Sequence, residues 1–585
     1  MQTIAIRAAR AVQFVLGIIG ALLGTFYSAK YTAITRRLGL PRVADSAKRG
    51  FVIVEIDGLS YPHLQAAMSL GYAPYIQRLI ERDEFALHQW KTGLPCTTPA
   101  AQAGIMYGNN DDIPAFRWYD KAAEQLVVCK LPGTVKSIQD RISANREGIL
   151  KGGSSVMNMF DGDASLSMFT LAALHRKRFF ESVRGLGFLV LFILNPFRTL
   201  KMFALAIWEY LTDVAQSIWA RWKKHQPLPL EWGFAFLRVF SNVILREIQT
   251  FAVLVDIYRG APAIYTTYYG YDELAHRYGP LSKPALHALR AIDSRIRQID
   301  NLRRRGLHRA YDLYVLSDHG MTPSVPFTHQ YGQTLGEFIR ECLGGRLKLN
   351  EAAGTEEQGA FQTIYLMEEL RVIESNLSPP LTHIPRKLRQ LVARRVVFNL
   401  DDEGTWDPLR RTDIVVRNSG SLSHVYLNVT PRQMDISEVA VFYPNLMSDL
   451  AAHEGIWLVV GREQQQVVIL SKEGNITLDE DYQASRAYTV EGQDPLAALP
   501  NSRETAAQLN RVARFAHSGD LMLIGSYDPT LDSVCCFEQF WACHGGIGGP
   551  QESAFMLHNN ATHWNLDRVA QATEIYPLFA QLYAR

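Results

Sequence analysis

FVIVEIDG, residues 51–58, is a short β-branched run that stops at an acidic residue followed by glycine. The run does not alternate between apolar and polar positions, so it fits a strand buried on both faces, and such strands belong to parallel sheets. The Asp-Gly that closes it delivers Asp57 to the carboxyl end of the strand, where open α/β sheets gather their ligands. The same form recurs: residues 263–269 lead to Asp272, and residues 311–316 lead to Asp318 and His319. Between these two runs Leu286, Leu289, Ile292, Ile296, Ile299 and Leu302 recur at spacings of three and four, the stripe of an amphipathic helix ending near Gly306. The unit is strand, crossover helix, strand. Later apolar runs at 457–460, 467–470, 521–524 and 554–557 are expected to extend the same pattern. The fold class is therefore α/β, a mostly parallel sheet flanked by helices, with a hydrophobic helical insertion and a cap region.

At 585 residues the chain exceeds what one minimal core requires. The expected division is an anchor and linker at 1–45, core segments at 46–150, 255–345 and 505–585, a hydrophobic insertion at 151–254, and a cap with sheet continuation at 346–504. Sixty Lys and Arg against 58 Asp and Glu leave a formal charge of +2, so no nucleic-acid partner is expected. Six cysteines without a CxxC pair indicate neither a disulfide scaffold nor a thiolate zinc site. Residues 11–27 form an apolar run long enough to cross a bilayer, which predicts a membrane protein with a single N-terminal anchor. Lys30, Arg36, Arg37 and Arg42 outnumber Arg7 and Arg10, a small margin for the cytoplasmic side that leaves the side open. A second apolar stretch, 186–210, is broken by Asn195, Pro196, Arg198 and Lys201. It reads equally as a hairpin in the membrane interface or as two buried helices.

Four segments end apolar runs with metal-capable side chains: Asp57; Asp272 and His276 in YDELAHRYGP; Asp318 and His319 in LSDHGM; and His544 in CHGGIGGPQ. Carboxylates and imidazoles without thiolates suit a catalytic zinc or manganese site. Asp272 and His276 are four apart and share one face of a helical turn. A strand-ending Asp alone more often caps a helix or forms a turn; the joint occurrence of all six, in this order, is what makes a site. The segment GLPCTTPAAQAGIMYG adds a hydroxyl where a helix begins, a position that favours phosphoryl oxygens.

With these residues in place, the chain resembles the type I phosphodiesterase and nucleotide pyrophosphatase branch of the alkaline phosphatase superfamily, over the core segments only. The resemblance implies two divalent metals, zinc or alternatively manganese. It places Asp57, Thr98, Asp318 and His319 at one, and Asp272, His276 and His544 at the other. It also implies a threonine nucleophile. Spacing to Pro95 and Gly108 selects Thr98, whereas spacing to Pro99 selects Thr97; Thr98 is preferred. The expected activity is hydrolysis of a phosphoric ester, free or lipid-linked, through a phosphothreonine. Alternatives are a head-group phosphotransferase such as a phosphoethanolamine transferase, and an inert membrane scaffold. A sulfatase is disfavoured, because Thr98 with Pro99 and Ala100 replaces the Cys or Ser segment it needs. The family's phosphate-binding Asn is missing: the window holds Phe116, Arg117, Trp118 and Tyr119. Arg117, or Asn158 in GSSVMNMFDGD, is expected to substitute, which leaves monoester against diester preference open.

Overall fold

The computed structural model describes residues 48–173, 245–305, 308–352, 412–479 and 488–584, with a few isolated positions besides. The main sheet has seven strands, in chain order β1 (Gly50–Ile56), β2 (Phe85–Lys91), β3 (Ser154–Val156), β4 (Leu166–Met168), β5 (Ala263–Tyr268), β6 (Tyr311–Leu316) and β7 (Ser553–Asn559). Their spatial order is β2-β7-β6-β1-β5-β3-β4. β1 is central and pairs in parallel with β5, Phe51 opposite Ala263, and with β6, Gly50 opposite Tyr311. β3 pairs in parallel with β5 and with β4, while β7 runs antiparallel to β6 and β2. Every residue of β1 is buried, which is why its sequence shows no inside–outside alternation.

Four helices position the site: α1 (Thr98–Tyr107), α2 (Arg246–Arg259), α3 (Gly270–Tyr278) and α4 (Lys283–Arg303). α4 is the crossover helix between β5 and β6. Ser282 caps it by accepting from the Ala285 N–H, and its predicted stripe, Leu286 through Leu302, is buried.

Two expectations are corrected. Runs 457–460, 467–470 and 521–524 form strands, but in a second, eight-stranded sheet rather than the main one, as Ile456–Glu463, Gln466–Leu470 and Leu521–Gly525. Ile414–Ser419 and Leu422–Leu427 also belong to it, and all its described pairs are antiparallel except Leu349–Ala352 against Ile414–Ser419. Connection length explains the direction. Glu463 pairs with Gln466 across a two-residue turn, and so short a link can only return antiparallel. Of the four later runs, 554–557 joins the main sheet, within β7.

The second correction concerns the insertion. Residues 154–156 and 166–168 are strands of the main sheet, and all of α2 is buried against β5 and α4, so both ends of the 151–254 segment belong to the core. The apolar runs 11–27 and 186–210 lie, apart from isolated positions, outside the described residues. Among the described residues no helix is long and apolar enough to cross a membrane.

Candidate active site

The strand ends of the main sheet converge. Asp57 leaves β1, and Gly58 turns the chain at φ +70°. A Cβ on Gly58 would stand 2.3 Å from Asp272 Oδ1, so this approach of the β1 loop to α3 requires glycine. α3 opens two residues after β5, placing Asp272 in its first turn and His276 one turn on, with Oδ2 and Nε2 3.3 Å apart. Asp318 and His319 follow β6. His544 follows the strand Ala542–Cys543, which pairs with Thr322–Pro326 just beyond His319, so a distant segment is pinned beside that loop.

Thr97 is the N-cap of α1 and Thr98 its first residue. Their hydroxyls have different surroundings. Thr98 Oγ1 lies 3.2 Å from His319 Nε2 and 3.5 Å from Asp57 Oδ1, whereas Thr97 Oγ1 is buried and has no hydrogen-bond partner among the described residues.

The three imidazoles are oriented alike. Nδ1 faces a backbone carbonyl in each: His276 to Ala542 at 2.7 Å, His544 to Cys96 at 2.7 Å, and His319 to Gly320 at 3.0 Å. An Nδ1–H donated there leaves the Nε2 lone pair turned to the centre. His319 Nε2 is 3.4 Å from both Asp57 Oδ1 and Asp318 Oδ2, and His544 Nε2 is 3.9 Å from Asp272 Oδ1. The His319 and His544 rings stack at 3.8 Å.

These charges strain one another. Burial, then the charge of Asp318, pushes the Asp57 carboxyl well above its ordinary range; burial, then Asp272, pushes Asp318 up to about 7. Burial also pushes Asp272 up, but His276 and next His544 pull it below its ordinary value overall. Burial opposes the charge on His276, yet Asp272 raises it to about 9. Burial, then the neighbouring His319, holds His544 well below its ordinary value. Asp272 Oδ1 and Asp318 Oδ2 are buried and accept no hydrogen bond among the described residues.

Buried carboxylates that repel, orphaned oxygens and convergent Nε2 atoms fit divalent cations. Asp57, Asp318 and His319 form one group with ligand atoms within 4.8 Å, and Asp272, His319 and His544 form another. His319 thus stands within reach of both groups, where the family resemblance assigns it to one. His276 reaches the second through Asp272.

All seven residues expected at the two metals therefore come together, but the two expected to hold the phosphate do not. Asn158 is fully buried, its amide nitrogen bonded to Ser155 Oγ and the Tyr265 carbonyl and its oxygen to Thr267. Those bonds hold it within the sheet, away from the cleft. Arg117 is also buried and pairs with Glu538 at 3.3 Å, and it is Glu538 that lines the cleft. The cleft is lined beside the metal-capable groups by Phe116, Tyr269, Glu273, Gly420, Glu538 and Phe540. None of these six stood out in the sequence. Glu273, directly after Asp272, and Phe116, directly before Arg117, offered the nearest signals.

An α/β core thus brings a threonine hydroxyl, three aspartates and three histidines together at its strand ends. The matching family is type I phosphodiesterase / nucleotide pyrophosphatase, whose model covers residues 197–438. That span includes Asp272, His276, Asp318 and His319, and leaves Asp57, Thr98 and His544 outside. Human ectonucleotide pyrophosphatase/phosphodiesterase family member 1 is 28% identical over 153 residues, which is 24% of this chain and 16% of that protein's length. Two solved structures align more widely. Phosphonoacetate hydrolase from Sinorhizobium meliloti is 14% identical with a TM-score of 0.39, over 93% of this chain and 96% of its own. Murine ectonucleotide pyrophosphatase/phosphodiesterase 5 is 10% identical with a TM-score of 0.42, over 92% and 95%.

Proposed function

We propose that the protein is a metal-dependent phosphoric ester hydrolase in which Thr98 takes up the phosphoryl group. One observation carries the reading: the Thr98 hydroxyl stands beside both Asp57 and His319, inside the convergence of carboxylate and imidazole groups. Asp57, Thr98, Asp318 and His319 would hold one divalent cation and Asp272, His276 and His544 a second, zinc or manganese, supplying Lewis acidity and a lowered hydroxyl pKa.

Thr98 attacks phosphorus in line with the leaving oxygen, losing its proton to solvent. The bond from phosphorus to the leaving oxygen breaks, and the leaving alcohol takes a proton from water. Water then attacks the phosphothreonine, restoring the hydroxyl and releasing the phosphate product. α1 presents its N-terminus to the site, the polarity that favours phosphoryl oxygens throughout. Asp57 and His319 orient the attacking hydroxyl, and the carbonyls of Ala542, Cys96 and Gly320 keep the three imidazoles aligned.

The same proposal holds the chain at a membrane through residues 11–27, supported by the length of that run and its basic flanks, with a free or lipid-linked phosphoester as substrate. The test uses the metal-loaded full chain with nitrophenyl monoester and diester substrates, followed by acid quench and peptide mass spectrometry. Turnover with phosphate on Thr98 is expected. Thr98→Ala should lose several orders of magnitude in rate, and Thr97→Ala on the order of tenfold. Phosphate on Thr97, or a near-normal Thr98→Ala enzyme, would overturn the assignment.

A further inference from the structure

Gln551 lies in the short turn Gly549–Glu552 just before β7, is fully buried, and takes no part in the reaction described above. Every bond its side-chain amide can make is made. The oxygen accepts from the Gly546 N–H at 3.2 Å and from Ser421 Oγ at 2.9 Å, and the nitrogen donates to the carbonyls of Ile547 and Gly548, each at 3.0 Å. These partners belong to the loop that follows His544 and to the turn Gly420-Ser421 between two strands of the second sheet. The backbone of Gln551 reaches the other way. Its carbonyl accepts the Gly320 N–H at 2.7 Å, one residue beyond His319. A single residue therefore joins the loops that deliver His319 and His544, whose rings lie 3.8 Å apart.

The joint is tightly closed. The Ser421 N–H donates to the His544 carbonyl at 3.4 Å, and a Cβ on Gly420, which stands at φ +67°, would lie 1.8 Å from that same oxygen. A Cβ on Gly320 would lie 1.9 Å from the Pro550 carbonyl oxygen. We propose that Gln551 is a positioning residue, whose side-chain amide holds the His544 loop and so sets where the second cation group, Asp272, His276 and His544, stands relative to the first. The proposal rests on the metal-dependent reading above. Its specificity comes from a division between side chain and backbone. Only the backbone of Gln551 supports the His319 side, and a substitution leaves that bond in place. Loss of the amide therefore loosens His544 and spares Asp57, Asp318 and His319. Removing the partners that orient a metal ligand typically weakens metal binding about 10- to 100-fold.

Zinc binding by the full chain, measured by equilibrium dialysis against graded chelator, reads each cation without any turnover. The unaltered protein should bind two zinc ions, and His544→Ala should lose the second, which identifies that step in the binding curve. Gln551→Leu, close in volume, should weaken the second step about 10- to 100-fold and leave the first unchanged. Ser421→Ala removes a single one of the amide's bonds and should weaken the same step severalfold in a protein that still folds. Ile339→Ala opens a cavity in the separate core of the second sheet, so it should lower the urea midpoint and leave both steps in place. An unchanged second step in Gln551→Leu, or in Ser421→Ala should Gln551→Leu fail to fold, would overturn the proposal. Equal weakening of both steps, or the same selective loss in Ile339→Ala, would overturn it too. An unaltered protein that binds fewer than two zinc ions refutes the two-metal reading and this proposal with it, whereas two zinc ions and an indifferent Gln551→Leu refute the proposal alone.

Discussion

Replacing Gln102 with leucine should destabilise the protein by about 3 kcal/mol and slow it as well. Gln102 is fully buried one turn into α1, on the face that carries Thr98. Its amide nitrogen donates to Glu55 Oε1 at 2.7 Å and Thr267 Oγ1 at 3.0 Å, and its oxygen accepts from the Met159 N–H at 2.9 Å. One side chain therefore ties the helix that carries Thr98 to β1, to β5 and to the loop after β3. Leucine is close in volume, so the cavity contribution is small and the loss comes from polar atoms left dry. The Met159 N–H loses the partner Gln102 provides, while Thr267 and Glu55 keep each other at 3.0 Å. One orphaned donor at about 1–3 kcal/mol and two weakened acceptors at about 0.5 kcal/mol each give the stated sum. Glu55 lies two residues before Asp57, and Gln102 four after Thr98, so a slack tie also shifts the hydroxyl from its ligands. Turnover should fall roughly tenfold with little change in KM. Urea unfolding followed by tryptophan fluorescence, with steady-state kinetics on the same samples, tests both effects. A stability loss below about 1 kcal/mol, or an unchanged kcat in a clearly destabilised protein, would refute the reasoning.

Other perturbations have expected outcomes of their own. His544→Ala and Asp318→Ala should each lower metal content after dialysis and reduce turnover, because open sites lose affinity steeply with one ligand gone; full stoichiometry at normal rates in both would contradict the two-metal assignment. His517 is raised above its ordinary pKa by its hydrogen bond to Asp112, against its burial, with Asp120 adding to the rise and Arg141 opposing it. Its contribution to stability is complete below the unfolded value of roughly 6.5 and is lost as pH rises through the folded value, so thermal melts of the unaltered protein and His517→Gln should differ most at low pH and converge at high pH. Divergence that grows with pH would reverse the sign and refute it. Deleting residues 1–29 together with 186–210 should abolish liposome binding, and deleting 1–29 alone should leave part of it; complete loss from the single deletion would reduce 186–210 to a cap or core element.

What the sequence disclosed, and what it withheld, follow from the range over which each signal acts. Asp57 and Asp318 were legible because an apolar run and the residue that ends it are contiguous, and the stripe of α4 was legible because its period lies within one helix. Sheet membership was not. The strands at 456–463 and 466–470 look like buried core strands, and the turn between them is Gln464-Gln465, with Gln464 at φ +53° where a hairpin usually shows Gly or Asn. Without that signal nothing local announced the antiparallel return. Arg117 and Asn158 lie off the cleft lining for a different reason. Each has the chemistry to hold a phosphate, but composition does not say where a side chain points. Phe116 lines the cleft while Arg117, one residue on, is turned to Glu538, a partner that no local pattern could pair with it. The residues that perform phosphoryl chemistry must sit at strand ends and helix starts, because only backbone geometry holds them to the needed tolerance, so motifs record them. The residues that recognise the rest of a substrate need only face the same space. Phe116, Tyr269, Glu273 and Phe540 come from separate loops and one helix, which is why the metal-capable residues were legible in motifs while the rest of the cleft lining became visible only once the chain was folded.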